Sequence, residues 1–321
     1  MANIKKKNMS EAELFSFVDA DSFASERIIA PRYSYWKSVF RVFFRKKINI
    51  FLIAAITSIF LIAFIMPNFW PYDPMENIMD PTTFNLSPAA AMAKLGGGIK
   101  WIMGTGSMGN SIFFGVISSA RMSLLLAVIC AAINMTVGII MGAVWGYSKK
   151  VDTVMLIVYN IIANVPYILL ITVLVYIIGS GFWSFIFALT ITGWLGISYF
   201  FRTQVMIIRD REYSLASRCL GTPVRRVIGK NILPFMTSVI VTLLATELPS
   251  YISMEVFLSY IGIGLSATVP SLGRMIQQGQ AAFIVFPWEF WPPVAVASAI
   301  TIILYLLGQN LADASDPRTH M

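Results

Sequence analysis

Between two long apolar runs lies R-D-R-E-Y-S-L-A-S-R-C-L-G-T-P-V-R-R-V-I-G-K-N-I-L-P, Arg209 to Pro234. Counting Arg202 just upstream, it carries seven basic side chains against Asp210 and Glu212. Its residues specify two short helices. Asp210 stands where a side chain caps a helix whose first turn holds Arg211, Glu212 and Tyr213. Tyr213, Ala216, Ser217 and Leu220 recur at helical spacing and give one small, modestly apolar face. Gly221 then falls where a left-handed residue ends a helix. Thr222 and Pro223 restart one as N-cap and first residue. Val224, Val227, Ile228 and Ile232 form the stripe of the second piece, which leads through Leu233-Pro234 into the next apolar run. A short helix about 15 Å long, at 1.5 Å per residue, is a knob suited to a groove on a partner.

The chain around it belongs in a membrane. It is 57% hydrophobic and 12% charged over 321 residues, where a soluble domain carries about 25% charge. The apolar residues gather into runs at about 48–66, 121–147, 153–178, 183–207, 234–264 and 291–311, long enough to cross about 30 Å of hydrocarbon. The expected fold is therefore all-α, with six transmembrane helices. All but four of the 24 Lys and Arg residues (Lys94, Lys100, Arg121 and Arg274) fall in 1–47, 148–152, 202–233 and 312–321. That asymmetry puts these segments and both termini in the cytoplasm. The first apolar run ends in Met66-Pro67-Asn68 without a cleavage pattern and is expected to stay as a span.

These runs organise the chain into a cytoplasmic segment 1–47, a first span 48–66, an extracytoplasmic loop 67–120, a core 121–311 containing the 209–234 loop, and a cytoplasmic tail 312–321. Residues 1–27 are polar. Trp36, Phe40, Phe43 and Phe44, with Lys37, Arg41 and Arg45 between them, predict an interfacial helix ahead of the first span. Gly138, Gly142 and Gly146 repeat every four residues and let another helix approach backbone to backbone, within this bundle or from another subunit. Pro166, Gly193 and Gly196 mark kinks or close packing. Glu247 and Glu255 lie about 80° apart on one helix, given 3.6 residues per turn. Carboxylates in a span face an interior or a cavity, so each is either part of a translocation pathway or a structural group bonded between helices.

Several functions are excluded. Gly104-Thr105-Gly106-Ser107-Met108-Gly109 fits G-x-G-x-x-G, but no strand precedes it and no acid follows at the required distance. No P-loop signature and no H-E-x-x-H occurs. A single His320 builds neither a metal site nor a triad, so no catalytic residue and no metal are expected. Cys130 falls in a span and Cys219 in the basic loop, so no disulfide is expected. A proton-coupled carrier using Glu247 and Glu255 remains as a rival that leaves the basic loop unexplained.

The run Glu212–Gly221 followed by Asn231-Ile232-Leu233-Pro234 resembles the EAA loop of ABC importer permeases. With it, Gly104-Thr105, Ala120–Leu124, Gly146-Tyr147, Thr192–Trp194, Leu258–Gly264, Pro270-Ser271 and Leu311–Arg318 are similar to the C-type permease subunit of dipeptide and oligopeptide ABC importers, the Gram-positive branch in particular. The resemblance implies a type I importer permease fold with cytoplasmic coupling helices. By position it makes Glu212, Tyr213, Ala216, Arg218, Leu220 and Gly221 the ATPase-coupling residues. It implies a homologous B-type permease, two cytoplasmic ATPases that bind the ATP and Mg, and an extracytoplasmic peptide-binding lipoprotein as partners. This chain then has no cofactor of its own and no enzymatic role, sits among membrane lipid in the bacterial cell membrane, and binds no nucleic acid. Nickel importers use a similar permease and are the alternative within the family. The chain departs from the family pattern at Leu215 and Ser217, in G-T-G-S-M-G-N-S, and at Leu272.

Overall fold

A computed structural model describes residues 35–74, 77, 79–266 and 269–315. The polar segment 1–27 and His320 lie outside these residues. Every long apolar run is helical, and the described residues contain no strand beyond one isolated bridge, Thr105 to Ser111.

Helix α1, Tyr35–Arg45, buries Val39 and Phe43 and exposes Trp36, Phe40 and Phe44. It stops at Lys46, whose backbone is extended, and the Asn49 amide donates to Phe43 O at 2.7 Å across the corner. Helix α2, Lys47–Phe69, then runs through Pro67 to its end. After it the chain forms a small irregular cap that includes α3, Pro88–Lys94, begun by the Ser87 side chain. The glycine-rich G-T-G-S-M-G-N-S stretch is a turn in this cap. Thr105 Oγ1 donates to Thr83 O at 2.6 Å and accepts from Leu86 N at 2.8 Å, while the Asn110 amide donates to the Tyr72 hydroxyl at 2.7 Å. A Cβ at Gly104 would stand 2.5 Å from Leu86 O, so tight packing accounts for the glycine there.

Helix α4, Ile112–Tyr147, is the central element. Its 36 residues begin ahead of the expected 121 because Ser111 caps the N-terminus. At 1.5 Å per residue it extends about 54 Å, well beyond the hydrocarbon. The expected third span at 153–178 is instead a broken pair, α5 (Lys149–Ala163) and α6 (Tyr167–Ile178), bent by 78°. Pro166 has no N–H for the helical ladder and disfavours helical backbone at Val165. The fourth run is likewise divided into α7, Phe182–Thr190, and α8, Trp194–Arg209. A Cβ at Gly193, in the break, would meet Leu189 O at 2.5 Å, whereas one at Gly196 would meet nothing within 4 Å.

Next come α9, Glu212–Cys219, and a string of short turns leading into α10, Thr237–Tyr260. Helix α11, Leu272–Ala282, and the long α12, Pro287–Ser315, complete the chain. Among the described residues five helical stretches are long and apolar enough to span alone, and the bent α5–α6 pair, taken as one broken span, brings the number to six. Phe51, Ile157, Tyr176 and Trp183 are large apolar side chains left exposed on these helices.

Two cores hold the bundle. The larger joins α2, α4, α7, α10, α11 and α12 through residues such as Leu124, Leu126, Phe185, Ile252, Leu272 and Ile300. The smaller, around Ala143, Ile197, Phe201, Val205, Val227, Ile232 and Met236, ties α4 and α8 to the turns before α10. The three-glycine face of α4 packs within this chain. A Cβ would stand 2.6 Å from Ile197 Cγ2 at Gly138, 2.6 Å from Ser198 O at Gly142 and 2.5 Å from Arg202 O at Gly146. The α8 backbone thus fills the space a side chain would need.

Overpacking such a seam costs about 1–3 kcal/mol or more. Gly142→Leu is expected to lower the melting temperature of the protein in detergent and reduce its yield. Gly196→Ala, in open space, is expected to leave both unchanged. Equal melting temperatures for all three proteins would remove the seam from its structural role.

Candidate functional site

Three features stand apart from packing: the exposed helix α9 with its anchors, a groove between α10 and α12 bordered by hydroxyls, and the two span carboxylates.

Helix α9 begins at Glu212 after an extended Arg211. Asp210 does not cap it. Its carboxylate instead takes two hydrogen bonds from Arg209, each 2.9 Å. These bonds hold the Asp210 carboxyl below its usual range. The pair's contribution is therefore complete at neutral pH and is lost as pH falls through that lowered value. With Asp210 largely exposed, the pair adds little stability. The same guanidinium donates to Gly146 O at 3.0 Å and Tyr147 O at 3.3 Å, the free carbonyls ending α4. Beside it Arg202 makes a two-pronged contact with Asp152 of α5, one arm at 2.9 Å.

The end of α9 is a full Schellman turn. Thr222 N donates to Ser217 O at 3.1 Å, Gly221 N to Arg218 O at 3.0 Å, and Gly221 has φ of 77°. The next helical piece has Pro223 at its N-cap with no side-chain bond, so Thr222 does not cap it. The chain continues as one helical turn, Val224–Arg226, a wide π-turn, Val227–Ile232, and a 3₁₀ turn, Leu233–Met236, containing Pro234. Val227 and Ile232 are buried, but Val224 is exposed.

The predicted α9 face divides in two. Tyr213 and Ser217 face the body of the protein. The Tyr213 ring lies 5.1 Å from that of Phe235, and the Asn231 amide donates to Ser217 Oγ at 2.8 Å. Ala216 and Leu220 face outward with Leu215 and Cys219, and Leu220 is 86% exposed. Glu212 and Arg218 are exposed, the latter over the Tyr147 ring. Asp210, Tyr213, Ser214 and Ser217 are therefore the anchoring side, and the outward patch is apolar.

The carboxylates have separate fates. Glu255 is fully buried. Ser123 Oγ of α4 donates to it at 2.9 Å and Ser259 Oγ at 3.0 Å, and Ser271 and the Gly273 N–H at the start of α11 complete its partners. It knots α4 and α10 to a helix N-terminus, the place where a carboxylate is best accommodated. A pathway role for Glu255 is replaced by this structural one. Glu247 is half-buried and borders a cavity.

The α10 face that carries neither core nor Glu255 bears Thr242, Thr246, Ser250 and Ser253, all exposed. Thr246, Ser250 and Ser253 of this face, with Thr301 and Tyr305 of α12, line a groove of about 600 Å³ whose other walls are the apolar Pro249, Met254, Phe257, Ile302 and Leu306. A second hollow of about 500 Å³ continues it through Ser253, Phe257 and Thr301. Ser238, Thr242, Thr246 and Ser250 recur every four residues, a hydroxyl stripe legible in the sequence from that spacing and carrying no charge to mark it. Ser250 and Thr242 bond carbonyls one turn back, at 2.6 and 2.9 Å. Their hydrogens are thereby used, and oxygen lone pairs face the groove.

Removing Glu255 leaves three buried hydroxyls and an N–H short of a partner, each costing about 1–3 kcal/mol. Glu255→Ala is expected to melt well below the parent in detergent and Glu255→Gln between the two, as measured by thermal denaturation. An unchanged Glu255→Ala protein would dismiss the knot.

Residues 134–321 match the family described as binding-protein-dependent transport system inner membrane component. Residues 34–88 match the N-terminal TM domain of oligopeptide transport permease C. The oligopeptide transport system permease protein AmiD of Streptococcus pneumoniae is 46% identical over 312 residues, covering 97% of this chain and 98% of that protein. The oligopeptide transport system permease protein OppC of Bacillus subtilis is 31% identical, covering 99% of both chains. The dipeptide transport system permease protein DppC of the same organism is 30% identical, covering 98% of this chain and 95% of its own. The apolar spans, the groove and the exposed α9 thus sit in a chain matched from end to end by transport permeases, and it belongs to the binding-protein-dependent transport system inner membrane component family.

Proposed function

We propose that this chain is the C-type permease subunit of an ATP-driven peptide importer, one wall of the translocation pathway and one docking point for a cytoplasmic ATPase. The observation that carries this reading is α9. It is a short helix held from behind by Tyr213 against Phe235 and by Asn231 on Ser217, and it offers Leu215, Ala216, Cys219 and Leu220 unpartnered on the side of the chain richest in Lys and Arg. An exposed apolar knob on a helix fits a groove in a partner protein. The surrounding basic residues put that face in the cytoplasm with both termini.

The groove supports the second half of the proposal. A peptide crossing a bilayer needs hydrogen-bonding groups in place of water. The stripe of Thr246, Ser250 and Ser253 facing Thr301 and Tyr305 supplies them along α10. A homologous B-type permease closes the open side of this groove. Two ATPases bind and hydrolyse ATP with Mg below it, and a binding lipoprotein delivers peptide from outside. Closure of the ATPases pushes α9, and α8 and α10 move with it to alternate the access of the groove. This chain makes and breaks no covalent bond. The names of the relatives favour peptide over nickel as cargo.

Gly221 has positive φ with open space around it, so a side chain there strains only the backbone, by about 1–2 kcal/mol and more when β-branched. Gly221→Val is expected to assemble with the ATPases yet import labelled dipeptide at a small fraction of the parental rate. Full ATP-dependent uptake would remove the turn from coupling. Cys219, exposed in the free chain, is expected to lose reactivity toward a maleimide once the ATPases assemble, and equal labelling in both states would place docking elsewhere. Uptake of radiolabelled dipeptide, longer peptide and nickel by reconstituted transporter separates the cargoes.

A further inference from the structure

Beside the groove, and joined to it through Ser250 and Met254, is a smaller cavity of about 290 Å³. Five polar side chains border it: Tyr167 of α6, Thr192 from the break before α8, and Glu247, Ser250 and Tyr251 of α10. Its lining holds no Lys, Arg or His. Gly196 is also at its wall, and the absence of any atom within 4 Å of a Cβ built there keeps the space open.

The hydrogen bonds around the cavity all point one way. Ser250 spends its hydroxyl hydrogen on Thr246 O at 2.6 Å, and Tyr167 spends its own on Leu189 O at 2.9 Å. The Tyr251 hydroxyl accepts from the Asn134 amide, which leaves its hydrogen for the Glu247 carboxylate. Thr192 Oγ1 is buried and has no partner among the described residues. The cavity therefore presents oxygen lone pairs and one carboxylate but almost no donors. An anion or a carbonyl finds only the Thr192 hydroxyl to bond there. A group with several N–H donors and a positive charge finds acceptors on several sides, with two tyrosine rings close by.

We infer that this cavity is a subsite for a primary ammonium group of the transported peptide, with Glu247 as its counter-charge. The inference rests on the groove being the peptide's path. Within that path it supplies a charge preference that a stripe of hydroxyls lacks. Either the free N-terminus or a lysine-type side chain carries the required chemistry. A passing peptide pauses with its ammonium turned sideways out of the groove, beside Glu247, and leaves as α10 moves relative to α8.

The test uses the assembled transporter in nanodiscs. Ser250→Cys puts a thiol at the mouth shared by groove and cavity, and mass spectrometry reads its modification apart from Cys130 and Cys219. A cationic methanethiosulfonate is expected to react faster than an anionic one by on the order of tenfold, the factor that about 1.4 kcal/mol of attraction gives. Glu247→Gln in the same background is expected to bring the ratio close to one. Ala-Ala-amide is expected to slow the modification while its N-acetyl form does not. N-acetyl-lysine-amide tells the two sources of ammonium apart: protection by it as well admits side chains, and its failure restricts the site to the N-terminus. Gly196→Leu, which fills the cavity and leaves Glu247 in place, is expected to abolish protection.

An unchanged reagent ratio in Glu247→Gln, equal protection by the acetylated peptide, or protection that survives Gly196→Leu each overturns the subsite. Thr246→Cys and Ser253→Cys, on the groove but off the cavity, report on the path itself. If these thiols and the one at Ser250 are all unreactive, the path reading fails. If they react while the charge preference at Ser250 is missing, only the subsite fails.

Discussion

The approach of α8 to α4 across Gly138, Gly142 and Gly146 is the contact on which the basic end of the molecule depends. At each glycine the α8 backbone or its first side-chain atoms occupy the position a Cβ would take. This closeness lets Arg202 reach Asp152, and lets Arg209 reach the last carbonyls of α4. Those carbonyls would otherwise end a buried helix without donors. Helix α9 starts at Glu212, three residues after Arg209, so its position is inherited from the glycine seam between α4 and α8.

At the opposite end, Glu255 and its serines perform the comparable task for α10 and α11. Helix α10 is thereby divided lengthwise. One side carries Glu255, Ile252 and Tyr251 into the core, while the other turns Thr246, Ser250 and Ser253 to the groove. Glu247 stands at the border of the two. The division explains how a span keeps so many hydroxyls: those on the groove bond their own helix, and those in the core bond the carboxylate.

Much of this was legible in the residues. The six apolar runs, the glycine repeat, the break at Pro166 and the left-handed Gly221 each arise from local chemistry that tertiary contacts do not override. Three readings needed the structure. Asp210 looked like a cap, but a neighbouring guanidinium with free carbonyls in reach draws it away. Thr222 looked like the start of a helix, but Pro223 holds the N-cap position and the Thr222 N–H closes the helix before. Helical spacing placed Tyr213, Ala216, Ser217 and Leu220 on one face, yet a short helix lying across two others buries only the part over Phe235 and Asn231. Glu247 and Glu255 showed the same ambiguity in the sequence, because a carboxylate in a span says that it has partners and not which ones.

The π-turn at Val227–Ile232 gives the chain an uneven stiffness. On its N-terminal side α9 follows Arg209, whose charge-assisted bond ties α8 to the end of α4 beside a seam with no room for side-chain slack. On its C-terminal side it meets α10 through a widened turn and a 3₁₀ turn, whose hydrogen bonds are fewer and poorer than those of an α-helix. Under the proposed docking, a displacement applied at Leu220 would reach α8 through the short Asp210-Arg211 link and α10 through the widened turns. The Glu247 cavity has walls from both sides, Thr192 and Gly196 on one and Glu247 and Tyr251 on the other. Unequal compliance of the two links would then turn one push at the surface into a change in the cavity's shape.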